Sequence, residues 1–570
     1  MILLFYIISY SKMDIEDIIS EKINNNLNTE QFNILIEEFK NNNITSINEF
    51  IKYIRKKHKF IISKINLVSI YKHLGYDDSN LKKLIIKKIG KSYSGIVSIT
   101  ILTSGTPEYE DENGNKIISK FSCKHDCHYC PNEKPSEENN WIQQPRSYLF
   151  KEPAVLRANQ NNFDPILQMN ARISSLINMG HCVDKLEVLI LGGTWSEYPN
   201  AYKDDFIKKT YYAANTFYDF EKRSIKTLEE EITENESSII HIIGLTLEMR
   251  PDNITIEEIK NLRKYNCTRV QLGIQHTNNY ILKKINRGHT IEDAYKAIKL
   301  LKNNCYKIDG HFMPNLPFTT PEIDNIMIDD ILYDEKIQLD QLKIYPCAIV
   351  PFTKIKKWFE DGIYIPYDEQ NLYEVIKRLK INVQKSKRLN RIIRDIPSTY
   401  ISGGYSKKTI NLRQQMQKDM HDNNWNCMCI RCREIKDNYV KEEDIKLSVE
   451  EYNASDGKEY FISYETDKYL IGFLRLRINY NYENVLDILK ECGLIRELHV
   501  YSILSQVGDN NNDLSIQHKG YGTKLIKKAE DIIIENGLQK SAIISGTGVR
   551  NYYKKFGYEL IDTYMIKKLI

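Results

Sequence analysis

The chain has 570 residues, 42% hydrophobic, 27% charged and 11% aromatic, which fits a globular protein with room for about three or four domains. Those proportions exclude a disordered or fibrous chain. The net charge is only +4 but unevenly spread, and the eleven cysteines gather in clusters rather than in a disulfide framework, which points to metal ligation in a reducing, cytosolic compartment.

The opening MILLFYIISY is apolar but too short for a membrane span, which takes about 20 residues. It lacks the cationic start and small-residue cleavage site of a signal peptide, and Met13 is read as the working start. Residues 1–90 are expected to form a small helical unit, with a capping box from Ser46 to Glu49. From Lys52 to Lys91 it is basic: Arg55, Lys56, Lys57, Lys59, Lys64, Lys72, Lys82, Lys83, Lys87 and Lys88 face only Asp77 and Asp78. A surface of that kind suits a polyanion, although a solvated helix face would look the same.

From Ser94 the pattern becomes short buried strands separated by amphipathic helices. GIVSITIL, KLEVLILGG, IIGLTLEMR, RVQLGIQ, KIDGHFMP and DQLKIYPCAIV are the strands, and Thr255 with Glu258 opens one of the helices. Alternation of this sort predicts a parallel sheet with right-handed crossovers, open or closed as a barrel, over residues 91–395. In such folds the chemistry gathers at the C-terminal ends of the strands.

Cys123, Cys127 and Cys130, in KFSCKHDCHYCPNE, follow the first strand and fall on that rim. Three thiolates on one short loop hold three irons of a 4Fe-4S cluster, and the missing fourth leaves one iron free for a ligand that is not protein. S-adenosylmethionine chelates at such an iron in radical enzymes, and Tyr129 fills the aromatic slot usual in that loop. Zinc is the competitor, with His125 or His128 completing its shell.

A second basic stretch holds Lys377, Arg378, Lys380, Lys385, Lys387, Arg388, Arg391 and Arg394. Residues 396–440 then read as a polar linker carrying Cys427, Cys429 and Cys432. C-x-C-x2-C is a metal-like spacing that supplies three zinc ligands, with His421 or Cys347 as candidates for the fourth.

Residues 441–570 form a separate α/β unit with strands YLIGFLRLRI, LIRELHVYSIL and KSAIISG and a helix from about Tyr521 to Glu535. Gln517, Gly520 and Gly522 make a Q-x-x-G-x-G loop that opens this helix, where backbone N–H groups and the helix dipole can hold a pyrophosphate. With the strand ELHV before it and Tyr552-Tyr553 after it, the set points to acyl-CoA. A strand edge would pair with the pantetheine amides, and a tyrosine would protonate the leaving thiolate.

From about Lys91 to the C-terminus the chain resembles the catalytic subunit of Elongator, a family that joins a radical S-adenosylmethionine domain to a GNAT acetyltransferase domain. SGIVSITILTSGTP, FDPILQMNARI, HCVDKLEVLILGGTW, GLTLEMRPD, LGIQHTNNYILKKINRGHT, RDIPSTYISGG, CIRCRE, IRELHVY, QHKGYG and SGTGVRNYYKKFGYEL carry the resemblance. The cysteine loop departs from many members, which space the first two cysteines further apart; C-x3-C-x2-C is the spacing of radical enzymes generally. The resemblance implies a partial TIM-type (β/α) barrel followed by a GNAT α/β domain. It implies carboxymethylation of uridine 34 in the tRNA anticodon stem-loop, with S-adenosylmethionine and acetyl-CoA as cosubstrates and Elongator-like subunits as partners. Cys123, Cys127 and Cys130 would then hold the cluster, and Lys185 would contact acetyl-CoA. Glu497, Leu498, His499 and Val500 would line the pantetheine, Tyr521, Gly522 and Thr523 the pyrophosphate, and Tyr553 the thioester. Gly192 and Gly193 would admit S-adenosylmethionine, with Glu248 and Arg250 as polar contacts on the rim, unless those two simply pair. The rivals are a histone-type lysine acetyltransferase and a non-catalytic RNA-binding scaffold.

Overall fold

The computed structural model describes residues 29–74, 84, 95–501 and 520–570, apart from short breaks at 43, 45, 61, 111–113, 122, 406–411 and 437. Gln517 and most of the basic run at 82–91 lie outside the described residues.

Three helices, Thr29–Asn41, Ile47–His58 and Lys64–His73, bury Leu35, Phe39, Phe50, Ile54, Leu67 and Ile70 in a core of their own. Ser46 caps the second, its hydroxyl accepting from the Glu49 N–H, which satisfies one of the helix's orphan donors. Arg55 and Lys56 on that helix are exposed, while Lys57 pairs with Glu38 at 2.6 Å.

Seven parallel strands follow in the order β1-β4-β5-β6-β7-β8-β9. They are β1 Val97–Leu102, β4 Lys185–Leu191, β5 His241–Met249, β6 Arg269–Gln275, β7 Lys307–Phe312, β8 Gln341–Ile344 and β9 Arg388–Arg391; a small hairpin, β2 Glu108–Glu110 and β3 Lys116–Ile118, stands apart. β6 and β8 are buried on both faces yet alternate polar with apolar residues, because their polar side chains Arg269, Gln271, Gln341 and Lys343 line the cavity inside the barrel. The sheet does not close: β1 and β9 are its two edges. Thr255 caps the helix Ile256–Lys264 by accepting from the Glu258 N–H at 3.2 Å.

A second seven-stranded sheet has the order β10-β11-β12-β13-β14-β16-β15, with β10 Lys446–Asn453, β11 Gly457–Glu465, β12 Leu470–Asn479, β13 Cys492–Val500, β14 Lys540–Ile543, β15 Glu559–Ile561 and β16 Tyr564–Lys568. It is antiparallel except where β13 runs parallel to β14. That pairing ends at Ile495 and Ile543. Beyond it, among the described residues, β13 stays bonded to β12 only, leaving one backbone edge of Arg496–Val500 open.

One hydrophobic core runs through both sheets. Leu186, Leu247, Leu272 and Ile308 of the barrel share a buried cluster with Cys492, Leu494, Ala542 and Ile566 of the second sheet. The joining segment adds Leu412 and Met416 from the helix Leu412–Asp422, so it is more ordered than its polar composition suggests. Among the described residues, no helix is long and apolar enough to cross a membrane.

Candidate functional site

The cysteine loop sits at the C-terminal rim of the barrel, tied there by backbone bonds from His128 N–H to Ile285 O (2.9 Å) and from Asn132 N–H to Phe352 O (3.1 Å). Cys127 is buried beside two guanidinium groups, Arg287 Nη1 at 3.6 Å and Arg250 Nη1 at 4.0 Å, which suit a thiolate. Cys123 Sγ lies 3.6 Å from Thr194 Oγ1. Burial, followed by the neighbouring Cys127, pushes the Cys130 thiol up to about 12. Both loop histidines are engaged elsewhere: His125 faces Asp252 at 3.7 Å, and His128 lies on the Lys284 carbonyl at 3.1 Å and the Trp358 ring. Among the described residues these cysteines do not bring three donor atoms together tightly enough for one ion, so the loop fits a multi-iron cluster better than a zinc knuckle.

Gly192 and Gly193 follow β4 with φ of 124° and 147°. A Cβ on Gly192 would lie 2.4 Å from Thr103 Oγ1, and one on Gly193 would lie 2.9 Å from the Phe121 ring. Both glycines are therefore required by the rim's own packing. Glu248 and Arg250 do not pair with each other. Glu248 points into the barrel and accepts from Tyr148 Oη at 2.9 Å, whereas Arg250 pairs with Asp252 at 3.0 Å and donates to the Arg287 carbonyl at 2.7 Å.

The lumen is polar. His311 Nδ1 lies 3.6 Å from Glu248, and its Nε2 has no partner. Lys343 donates to Gln271 Oε1 at 2.6 Å. Beneath them Glu187 pairs with Arg269 at 2.9 Å, and Lys307 pairs with Glu497 of β13. Arg475 of β12 holds the same Glu497 at 2.8 Å.

The second sheet meets the N-terminal end of the barrel. Gly546, just after β14, packs so close to β5 that a Cβ would fall 2.1 Å from the Ile243 carbonyl oxygen. The open edge of β13 is thus turned toward the barrel floor. Leu498 and Val500 pack on the apolar core of this half, and Tyr553 is buried in it. Tyr521 is buried against Tyr464, while Thr523 is exposed at the start of the helix Tyr521–Glu535. Gly522 sits where a Cβ would meet the Tyr552 hydroxyl at 2.4 Å.

A single cavity of about 1200 Å³ joins these places. Tyr129, Ser147 and Tyr148 line it beside the cysteine loop, Glu248, Gln271, His311 and Lys343 in the lumen, and Glu497, Leu498, His499, Ser545 and Tyr553 at the open edge of β13. Lys185 starts β4 at the same end of the barrel as that edge but is outside the cavity lining, its Nζ 2.9 Å from Asp184.

Four arginines that sequence reasoning did not single out also line the cavity. Arg157 and Arg172 face one another with no carboxylate within 4 Å among the described residues, and burial lowers both. Arg413 and Arg431 form a second like-charged pair, donating to the carbonyls of Leu389 and Asn390. By contrast the 377–394 stretch is mostly neutralised internally: Arg378 pairs with Asp329, Lys385 with Glu465, Arg388 with Glu434 and Arg394 with Glu152, and Lys387 is buried on the Ile331 carbonyl.

Cys427, Cys429 and Cys432 have all three Sγ atoms within 4.8 Å of one another. Thiolates on one tetrahedral zinc lie about 3.8 Å apart, so this set fits a single ion. Neither expected fourth ligand is beside it: His421 is 91% exposed against Asp422, and Cys347 is buried in a different cluster. The nearby group is Lys380, whose Nζ lies 3.8 Å from Cys432 Sγ.

Comparison with known proteins assigns both halves. Residues 117–327 match the Radical SAM superfamily, residues 339–422 the Radical_SAM C-terminal domain, and residues 428–558 the Acetyltransferase (GNAT) family. The chain is 37% identical over 511 residues to the tRNA uridine(34) acetyltransferase of Methanocaldococcus infernus, covering 87% of this chain and 90% of that protein. It is 33% identical over 453 residues to Elongator complex protein 3 of Saccharomyces cerevisiae, covering 78% and 79%. The solved structure of the archaeal Methanocaldococcus infernus Elp3 with an N-terminal deletion matches with a TM-score of 0.68 at 35% identity, covering 84% of this chain and all of that one. Likeness of that extent across both halves makes the chain an acyltransferase of the family that includes tRNA uridine(34) acetyltransferases and Elongator complex protein 3.

Proposed function

We propose that the protein makes 5-carboxymethyluridine at position 34 of tRNA, using a 4Fe-4S cluster, S-adenosylmethionine and acetyl-CoA. The observation that carries this reading is the one cavity lined by residues of the cysteine rim and of the open edge of β13. Two reactive ends facing one chamber are what a reaction needs when a short-lived species made at one end must meet an acyl group held at the other.

In this reading Cys123, Cys127 and Cys130 ligate the cluster, and Arg250 and Arg287 offset the charge around Cys127. When bound, the cluster supplies the electron that splits S-adenosylmethionine, and the species so made activates the acetyl methyl group for addition to uridine C5. Glu248, fixed by Tyr148, offers a polar contact at the rim. The free backbone edge of Arg496–Val500 pairs with the pantetheine, the N-terminus of the helix at Tyr521 faces the pyrophosphate, and buried Tyr553 donates a proton to the departing sulfur. Lys185 sits at the same end of the barrel and contacts the CoA from outside the chamber. The like-charged pairs Arg157–Arg172 and Arg413–Arg431 take anticodon-loop phosphates, and the exposed Arg55 and Lys56 of the N-terminal unit extend that contact. Cys427, Cys429 and Cys432 bind zinc and brace the join between the halves.

The test is nucleoside mass spectrometry of tRNA after anaerobic incubation with S-adenosylmethionine, acetyl-CoA and a reductant. Carboxymethylated uridine that requires all three supports the reading; label passing from acetyl-CoA to a histone peptide but not to tRNA refutes it.

A further inference from the structure

The reaction proposed above leaves a thioester to be removed by water, and an acid–base group is needed where that water attacks. Glu497 is placed on the cavity wall but is engaged: Lys307 and Arg475 both hold its carboxylate, which they pull down to about 2 against the opposing effect of burial. Two positions along β13, His499 lines the same cavity, and its Nε2 is buried with no hydrogen-bond partner among the described residues. The rings of Phe473 and Tyr501 flank it, at centroid distances of 6.0 and 4.3 Å, and fix its plane. The carboxylates that act on it, Glu497 and Glu434, are each already paired, with Lys307 and with Arg388. Burial first, with Lys307 and Arg388 adding to it, brings the imidazole down to about 4, so it stands neutral. Ser545, just past the end of β14, lines the same cavity and is buried, its Oγ likewise without a partner among the described residues.

We infer that His499 is the general base that activates water for hydrolysis of the CoA thioester, an inference that rests on the reading of the reaction given above. The water oxygen bonds to the thioester carbonyl carbon as its proton passes to Nε2. The carbon–sulfur bond then breaks with its electron pair on sulfur, the thiolate takes up a proton to leave as CoA, and the new acid ionises to the carboxylate of the product. No electron is exchanged in this step. Ser545 Oγ–H is positioned on the opposite side to donate to the carbonyl oxygen as charge builds on it.

The experiment follows tRNA and CoA together in single turnovers of wild type, His499→Gln and His499→Asn, with acetyl-CoA affinity measured by calorimetry on each. Both variants are expected to release CoA at least about a hundredfold more slowly, the usual contribution of a general base. Mass spectra of digested tRNA should then show uridine still carrying CoA in thioester linkage, with acetyl-CoA affinity retained. Added imidazole should restore release in His499→Gly. Release at the wild-type rate with no thioester-linked tRNA in either variant overturns the assignment. Loss of acetyl-CoA affinity in every variant also overturns it, by making His499 a binding or packing residue. A wild-type protein that forms no carboxymethylated uridine fails differently, because the reading of the reaction then falls and takes this inference with it.

Discussion

Lys307 and Glu497 stand 190 positions apart in the chain and meet as a buried ion pair at the floor of the barrel. Lys307 opens β7 and Glu497 lies on β13, so the pair joins the two catalytic halves where the cavity passes between them.

Replacing Glu497 by Gln leaves Lys307 buried without its ion-pair partner and Arg475 with Asp340 alone at 3.7 Å, and removal of one member of such a set destabilises by about 3–5 kcal/mol. The Glu497 carboxyl is depressed in the folded state to about 2, so its contribution is present in full above the unfolded value near about 4.3 and is lost as pH falls through the folded value. Urea unfolding of wild type and Glu497→Gln between about pH 6 and pH 2 should show the two curves converging in acid. A pH-independent gap would refute the ion-pair account.

Cys127→Ser removes the most enclosed of the three loop ligands and the thiol that Arg250 and Arg287 face. Anaerobic reconstitution should then give little iron and no cleavage of S-adenosylmethionine, while tRNA affinity stays close to wild type. Full iron loading in this variant would remove the cluster from Cys127.

Chelation of the second cysteine group should release zinc and lower the unfolding midpoint, because Cys427 and Cys429 belong to the core shared by both sheets. Cys429→Ser is expected to purify with markedly less zinc by elemental analysis. An unchanged metal content would reduce the triad to packing.

Arg157→Ala and Arg172→Ala each remove a cation that has no acidic partner within 4 Å among the described residues. If each contacts a phosphate, each substitution flattens the slope of log affinity against log salt by about 1. The readout is tRNA binding titrated across salt concentrations, and an unchanged slope counts against the contact.

Much of this fold is written in local pattern. β4 and β5 are mainly apolar runs, and such runs identify buried parallel strands whatever lies around them. β9 escaped notice because Arg388-Leu389-Asn390-Arg391 presents three polar side chains in four, and its cations find partners only in the assembled protein. β10 and β11 were missed for the related reason that an edge strand such as KLSVEEYN alternates weakly. At the site, the cysteine loop and the ELHV strand were legible because motif spacing reports ligand geometry. The 377–394 run is basic in sequence but largely paired in the structure, since a run of Lys and Arg does not disclose which carboxylates will face it after folding. Arg157 and Arg172 are isolated cations in sequence, and only the fold brings them together.

The apolar cluster that includes Leu186, Leu272, Leu494 and Ile566 has one further consequence. Domains tethered by a bare linker can hinge apart to load and unload, but prising these two open would wet a continuous oily interior. On the proposed reading, traffic then uses fixed doorways, with the nucleic acid arriving at the gap between β1 and β9 and the thioester from the far end. Cutting the gene between the two sheets would yield two sticky fragments instead of two working enzymes.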